Sequence, residues 1–238
     1  MRVMDVFHRL GSPKYCYQIL GYCLPWVSLL CAGLMVYGVF GGLFLAPPDY
    51  QQGDGFRMIY IHVPAAFLSL MIYGIIFVSS VIYVVWHIKL ADAVAKSSAL
   101  LGATYTVIAL FSGALWGKPM WGTWWIWDAR LTSELILLFL YVGYMGLRSA
   151  IPNPKRAAQA CAILAIVGMM DIPIIHFSVD WWATLHQGAT LAKFAKPSIA
   201  PEMLYPLLAM IAGFGLFYAV IVSIRVRGDI IIGAGKIP

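Results

Sequence analysis

Apolar residues dominate this chain in six long runs, which short polar or turn-forming segments separate. Each run is long enough to cross roughly 30 Å of hydrocarbon as an α-helix, which needs about 20 residues. We therefore predict an all-α integral membrane protein, with six transmembrane helices in one domain that covers residues 1–238. The predicted spans are residues 19–45, 58–87, 99–116, 131–149, 157–178 and 202–224.

Composition supports this class, and the distribution of charge orients the chain. Hydrophobic residues make up 62% of the sequence and charged residues 11%, with a mean hydropathy of +0.84, which is too apolar for a soluble domain. The net charge of +6 does not indicate a nucleic-acid partner, because the 16 Lys and Arg residues are scattered between the apolar runs. Eleven of them lie on the side of both termini and five on the other side. The positive-inside rule therefore places both termini in the cytoplasm and the loops at 46–57, 117–130 and 179–201 outside.

The outer loop at 117–130 belongs to a stretch with five tryptophans, WGKPMWGTWWIWDAR at residues 116–130. Tryptophan is enriched at both membrane interfaces, so an anchoring belt is one interpretation. Seven of the nine tryptophans lie at the outer end, however, and a belt would be symmetric. An indole-rich loop also suits a large, flat, apolar ligand, which the backbone can approach closely at Gly117 and Gly122. The outer tryptophans are Trp116, Trp121, Trp124, Trp125, Trp127, Trp181 and Trp182.

Charged residues follow the tryptophans at the head of span four. Asp128 could be an ordinary helix N-cap or could pair with Arg130, which could instead meet a carboxylate on a ligand. Glu134 could pair with Arg130 at i, i+4 spacing, whereas Asp171 lies deeper, in span five. Intramembrane carboxylates often mark ion or proton paths. A transporter or channel subunit, in which the tryptophans only anchor the rim, therefore stays an alternative.

Two histidines flank the tryptophan stretch on the outer side. His62 lies in YIHVPAA, about one turn into span two, and His186 lies in WWATLHQGAT, where a short helix would place it on the same face as Trp182. Two neutral imidazoles across a dry aromatic cleft could supply the axial ligands of a haem iron. No cysteine or carboxylate cluster completes a zinc or copper site. His176, near the outer end of span five, is the rival ligand.

An electron-transfer cytochrome b is a further alternative, but it needs histidine pairs at two depths of the membrane. The five histidines supply one outer pair, and His87 is the one that lies deep on the inner side. The four cysteines form neither CxxC nor CxxCH, so they provide no redox pair and no covalent haem attachment.

The run WGTWWIWDARLTSELILLFLYVGY, with YIHVPAA before it and WWATLHQG after it, resembles the CcmC family of haem-handling, WWD-domain membrane proteins of cytochrome c maturation. The resemblance covers nearly the whole chain. It implies that haem b is bound on the periplasmic face, with His62 and His186 as the iron ligands. The matching signature positions are Trp116, Gly117, Trp121, Gly122, Trp124, Trp127, Asp128 and Arg130. We add Trp125, Trp181 and Trp182 as neighbouring outer tryptophans.

The resemblance also implies partners and a location in the bacterial inner membrane. The expected partners are a periplasmic haem chaperone (CcmE-like), an ABC ATPase with its membrane subunit (CcmA- and CcmB-like), a small single-span protein (CcmD-like) and membrane lipid, with no nucleic acid. The chain has no GxxxxGK[ST] motif, so any ATP hydrolysis belongs to a partner. We therefore expect a protein that is not an enzyme, which positions haem and delivers it to the chaperone.

Overall fold

The computed structural model describes residues 12–186 and 199–233, and these residues form a helical bundle. The described chain contains seven α-helices in the order that follows: α1 Pro13–Phe40, α2 Ile59–Trp86, α3 Lys89–Trp121, α4 Ala129–Ala150, α5 Pro154–Gly168, α6 Asp171–Trp181 and α7 Pro201–Gly233. A π-helical turn, Gly41–Leu45, extends α1, and a 3-10 helix, Asp54–Met58, precedes α2. Residues 187–198 of the predicted outer loop at 179–201 lie outside the described residues.

Six helical segments of the described chain are long and apolar enough to cross a membrane, which confirms the six predicted spans. The fifth segment consists of two helices, because α5 ends at Gly168 and α6 begins at Asp171. Pro173 stands in the first turn of α6, where its missing N–H costs nothing. Because Pro173 has no N–H to donate to the Met169 carbonyl four residues earlier, a regular helix cannot continue unbroken from α5 into α6.

Helix α2 lies at the centre of the bundle. It packs against α3, α5 and α7, while α1 packs mainly along α7. Two buried tyrosines from facing helices, Tyr73 and Tyr141, pack edge to face with ring centroids 5.3 Å apart. A Cβ at Gly168 would clash with Tyr73 and one at Gly102 would clash with Tyr141. Glycine at these two positions therefore lets large aromatic rings fill the core between close helices.

The outer ends of two helices differ from the predicted boundaries. Helix α3 continues to Trp121 and ends at Gly122, whose φ of +78° favours glycine. The non-helical part of the tryptophan stretch is therefore residues 122–128. Helix α6 ends at Trp181, and Trp182 has extended backbone angles. The prediction of a short helix that carries Trp182 and His186 on one face is therefore wrong.

Candidate functional site

The His62 side chain projects from α2 towards α3, where its ring is held at one nitrogen. His62 Nδ1 lies 3.0 Å from the Ala109 carbonyl oxygen and 3.1 Å from Ser112 Oγ. The hydroxyl of Ser112 donates to the Ile108 carbonyl at 2.6 Å, so its oxygen can accept. Because a carbonyl oxygen can only accept, these contacts assign the hydrogen to Nδ1 and leave Nε2 with a free lone pair.

Space for this ring depends on a glycine in α3. A Cβ at Gly113 would lie 2.9 Å from His62 Cε1, which is closer than such carbons normally approach. Trp116 covers another side of the ring in an edge-to-face contact, with centroids 5.8 Å apart. The indole N–H of Trp116 donates to Gln52 Oε1 at 2.9 Å, which ties the first outer loop to the site.

His186, in the segment that follows α6, is held in the same manner. Its Nδ1 lies 3.2 Å from Asp128 Oδ2, and its ring makes an edge-to-face contact with Trp121 at 4.8 Å between centroids. A carboxylate accepts, so Nδ1 again donates and Nε2 keeps its lone pair. Burial, reinforced by the Arg130 guanidinium, lowers the pKa of His186 against the opposing effect of Asp128. The imidazole is therefore neutral, which metal ligation requires.

Asp128 joins this histidine to the start of α4. Its Oδ1 accepts the Leu131 backbone N–H at 2.8 Å, so Asp128 is an N-cap, while its Oδ2 accepts from His186. The side chains of Asp128 and His186 are only 8% and 15% exposed, respectively. One carboxylate thus fixes both the first turn of a membrane helix and the orientation of a candidate ligand.

Arg130 lies beside both histidines without a direct partner. His62 is within electrostatic range of both His186 and Arg130, so α2, α4 and the segment after α6 converge at this point. Arg130 forms no hydrogen bond or ion pair with any residue of the described chain. It is half-buried, and the carboxylates of Asp128 and Glu134 attract it only from beyond ion-pair distance. The guanidinium N–H donors of Arg130 are therefore available to an anionic group.

The tryptophans divide into two groups. Trp116 and Trp121 pack on the histidines, and a Cβ at the buried Gly117 between them would lie 3.0 Å from the Trp121 ring. Trp124 and Trp127 instead face outward, with 55% and 76% of their surface exposed. Trp125 makes an edge-to-face contact with Trp127, with ring centroids 5.4 Å apart.

The last two outer tryptophans lie at the end of α6. Trp181 stacks on Phe177 at 5.3 Å and contacts Trp182 at 5.7 Å, and both indoles are about half exposed. Among the described residues, neither ring contacts a histidine of the site.

Among the remaining ionisable candidates, Glu134 departs from the sequence expectation. Glu134 is buried and accepts a hydrogen bond from Ser69 Oγ at 2.8 Å, and the i, i+4 ion pair with Arg130 is absent. Asp171 is buried at the break between α5 and α6, with Oδ2 unpartnered among the described residues. His176 is exposed on α6, and its ring contact is Phe177 at 4.7 Å.

The donor set suits an iron that receives its other ligands from elsewhere. Across residues 12–186 and 199–233 there is no group of three or more His, Cys, Asp or Glu residues that could hold a metal ion. Two axial nitrogens suffice for a haem iron, because the porphyrin supplies the remaining ligands. Sequence reasoning missed Gln52, Ala109 and Ser112, and of these only Ser112 had a local signal, one helical turn before Trp116.

The chain is similar over nearly its whole length to proteins described as "Heme exporter protein C". The family model of that description, CcmC, matches residues 6–234. The chain is 46% identical over 231 residues to Heme exporter protein C of Haemophilus influenzae, which covers 97% of this chain and 94% of the relative. For the Escherichia coli K12 protein the identity is 46% over 225 residues, 94% and 91% of the two chains. A "Putative cytochrome c biosynthesis ccmC-like mitochondrial protein" of Marchantia polymorpha is 39% identical over 216 residues, 89% and 88% of the two chains.

Proposed function

Because the chain belongs to the Heme exporter protein C family and so handles haem for cytochrome c maturation, we propose that it holds haem b between His62 and His186. The haem would be cargo, presented to a periplasmic haem chaperone. The observation that carries this proposal is the matched anchoring of the two rings, each by Nδ1. Both Nε2 atoms are left free to ligate an iron that enters between them.

The two rings are supported by groups of unequal strength. His62 donates to a neutral carbonyl, whereas His186 donates to a carboxylate, which makes its imidazole the more basic ligand. His186 also lies on a loop, while His62 stands on a helix in the middle of the bundle. We therefore propose that His62 is the fixed ligand and that His186 is the ligand that moves when haem leaves.

Arg130 and the outer tryptophans complete the proposed platform. The unpaired Arg130 guanidinium matches a haem propionate, which is a carboxylate that a cation beside the iron site can orient. Trp124 and Trp127 offer exposed indole faces for the apolar macrocycle or for the chaperone that takes it. One haem edge would stay accessible to the histidine of the chaperone.

This function requires no nucleophile of the protein's own. The chaperone would supply the reacting histidine, and this chain would supply orientation, which can lower a barrier by about 7–11 kcal/mol when two reactants are pre-aligned. We further propose that the site faces the periplasm with both termini in the cytoplasm. ATP hydrolysis would then belong to a CcmA-like ATPase, with a CcmB-like membrane subunit and a CcmD-like single-span protein in the same assembly.

The test is an absorption spectrum of the full chain, purified in detergent from haem-replete cells that express its partners. We expect a low-spin b-type spectrum, oxidised and dithionite-reduced, which the His62→Ala/His186→Ala double variant lacks. His176→Ala is the matched control, because this exposed histidine lies on the same face outside the proposed ligand pair. An unchanged Soret band in the double variant would overturn the ligand assignment, as would loss of haem in the control alone.

A further inference from the structure

A basic cavity lies at the other end of the bundle from His62, between α3, α4 and α7. It has a volume of about 230 Å³. Its walls are formed by Lys96, Leu100, Tyr144, Met145, Arg148, Ser149 and Arg225. We call this space the basic cavity, and none of its residues belongs to the proposed haem site.

Three cations surround the basic cavity, and two of them are held in place by carboxylates. Lys96 Nζ lies 3.0 and 3.2 Å from the two Asp229 oxygens, and Arg148 makes a bidentate pair with Asp92 at 2.6 Å for each bond. Arg225 has no hydrogen bond or ion pair with any residue in the described part of the chain.

This arrangement leaves one uncompensated positive charge. Lys96 and Arg148 also keep N–H donors that their carboxylate partners do not use. The cavity therefore suits a group with one negative charge and several acceptor oxygens, such as a phosphodiester.

The basic cavity lies near helix ends and combines charged with apolar walls. Arg148 is in the last turn of α4, and Lys96 is about two turns from the start of α3, so the cations lie near the helix ends. Leu100 and Met145 line the cavity about one turn deeper than these cations, and Leu100 is 45% exposed. A ligand that fills the space needs a charged head and an apolar tail, which a free phosphate lacks.

We propose that the basic cavity binds the headgroup phosphate of an anionic phospholipid, with an acyl chain along Leu100 and Met145. Basic pockets between membrane helices at the interface are suited to such headgroups. The lipid would bridge α3 and α4, the helices that also carry Trp116, Trp121 and Asp128 at their outer ends. This proposal is independent of the haem assignment, since haem content and lipid retention are measured separately.

Native mass spectrometry of the full chain, released from micelles with equal phosphatidylglycerol and phosphatidylcholine, tests the proposal. We expect preferential retention of one phosphatidylglycerol, and about fivefold weaker retention by Arg225→Gln, or roughly 1 kcal/mol. Arg156→Gln is the matched control, because Arg156 is an exposed cation of the same face that does not line the cavity. Equal retention of the two lipids by the wild type, or equal losses in both variants, would overturn the proposal.

A second arm distinguishes lipid from free anion. Inorganic phosphate and glycerol phosphate are added to the same micelles in excess over the lipid. If phosphatidylglycerol stays bound, the apolar part of the cavity contributes as proposed. If either soluble anion displaces it completely, the site recognises phosphate alone and the lipid proposal fails.

Discussion

His186 donates its Nδ1 hydrogen to Asp128, 3.2 Å away, while the other oxygen of the same carboxylate accepts the N–H of Leu131. Two donors from separate parts of the chain therefore depend on the two oxygens of one side chain. An amide at this position has a single oxygen and can serve only one of them.

Asp128→Asn should for this reason impair haem binding without changing the shape of the side chain. If the amide NH₂ faces His186, Nδ1 must become an acceptor and the hydrogen moves to Nε2, which can then no longer ligate iron. If it faces Leu131 instead, the N-cap is lost, at about 0.5–2 kcal/mol of stability. Haem content and thermal unfolding of the purified variant separate these outcomes. The control is Asp180→Asn, at an exposed carboxylate of the outer end, which should change neither haem content nor thermal unfolding. If Asp128→Asn has wild-type values of both, Asp128 does not position His186.

Gly113→Ala should displace the His62 ring. The new Cβ would lie 2.9 Å from Cε1, so the ring must move away from Ala109 and Ser112. Alanine favours a helix interior over glycine by roughly 0.5–1 kcal/mol, so the protein should still fold while haem occupancy falls. Gly74→Ala is the matched control, because no atom lies within 4 Å of a Cβ at that α2 position. Equal haem contents in the two variants would show that the His62 position does not matter.

His62→Ala should lose haem, and added imidazole should partly restore the low-spin spectrum. The substitution leaves a space between Gly113 and Trp116 that a free imidazole can enter. The same rescue should be more efficient for His186→Ala, because His186 lies outside the helices, in the segment that follows α6. Titration of each variant with imidazole, followed at the Soret band, measures the two rescues. If both variants keep their full haem content and imidazole changes neither spectrum, other residues must ligate the iron.

Arg130→Gln should weaken the binding of haem but not that of haem dimethyl ester. The wild type should prefer the free acid by about tenfold or more, since a charge-assisted hydrogen bond contributes roughly 1.5–3 kcal/mol. In the variant the two affinities should converge. Titration of detergent-solubilised protein with haem and with its dimethyl ester gives the ratio of the two affinities. If Arg130→Gln keeps the preference for the free acid, a group other than Arg130 binds the propionate.

Trp124→Leu combined with Trp127→Leu should preserve membrane insertion but reduce the yield of the haem–chaperone adduct. Both indoles are exposed and contribute little to the packing of the bundle. Trp26→Leu is the control, because this tryptophan is 74% exposed on α1, within the membrane-spanning part. Normal adduct yield in the double variant would support the interpretation of the loop as an interfacial anchor.

The sequence by itself determined the features that depend on short-range pattern. The length of each apolar run sets the six spans. In hydrocarbon no water is available to the backbone N–H and C=O groups, and a helix satisfies them within a single segment. The position of Asp128 just before such a run makes an N-cap one of its expected roles, and the structure contains this cap. The clustering of tryptophan near residues 116–127 is likewise visible without coordinates.

Only the tertiary structure decided which of these groups meet. Glu134 stands at the right spacing for Arg130, yet it bonds to Ser69 of α2, because packing places that hydroxyl closer than its own helix neighbour. A backbone carbonyl such as that of Ala109 has no sequence signature, so the orientation of His62 could not be foreseen. His186 and Asp128 are 58 positions apart, and their contact exists only because α4 and α6 pack together. Local sequence sets backbone conformation through short-range sterics and desolvation, whereas ligand geometry depends on long-range packing that no single segment contains.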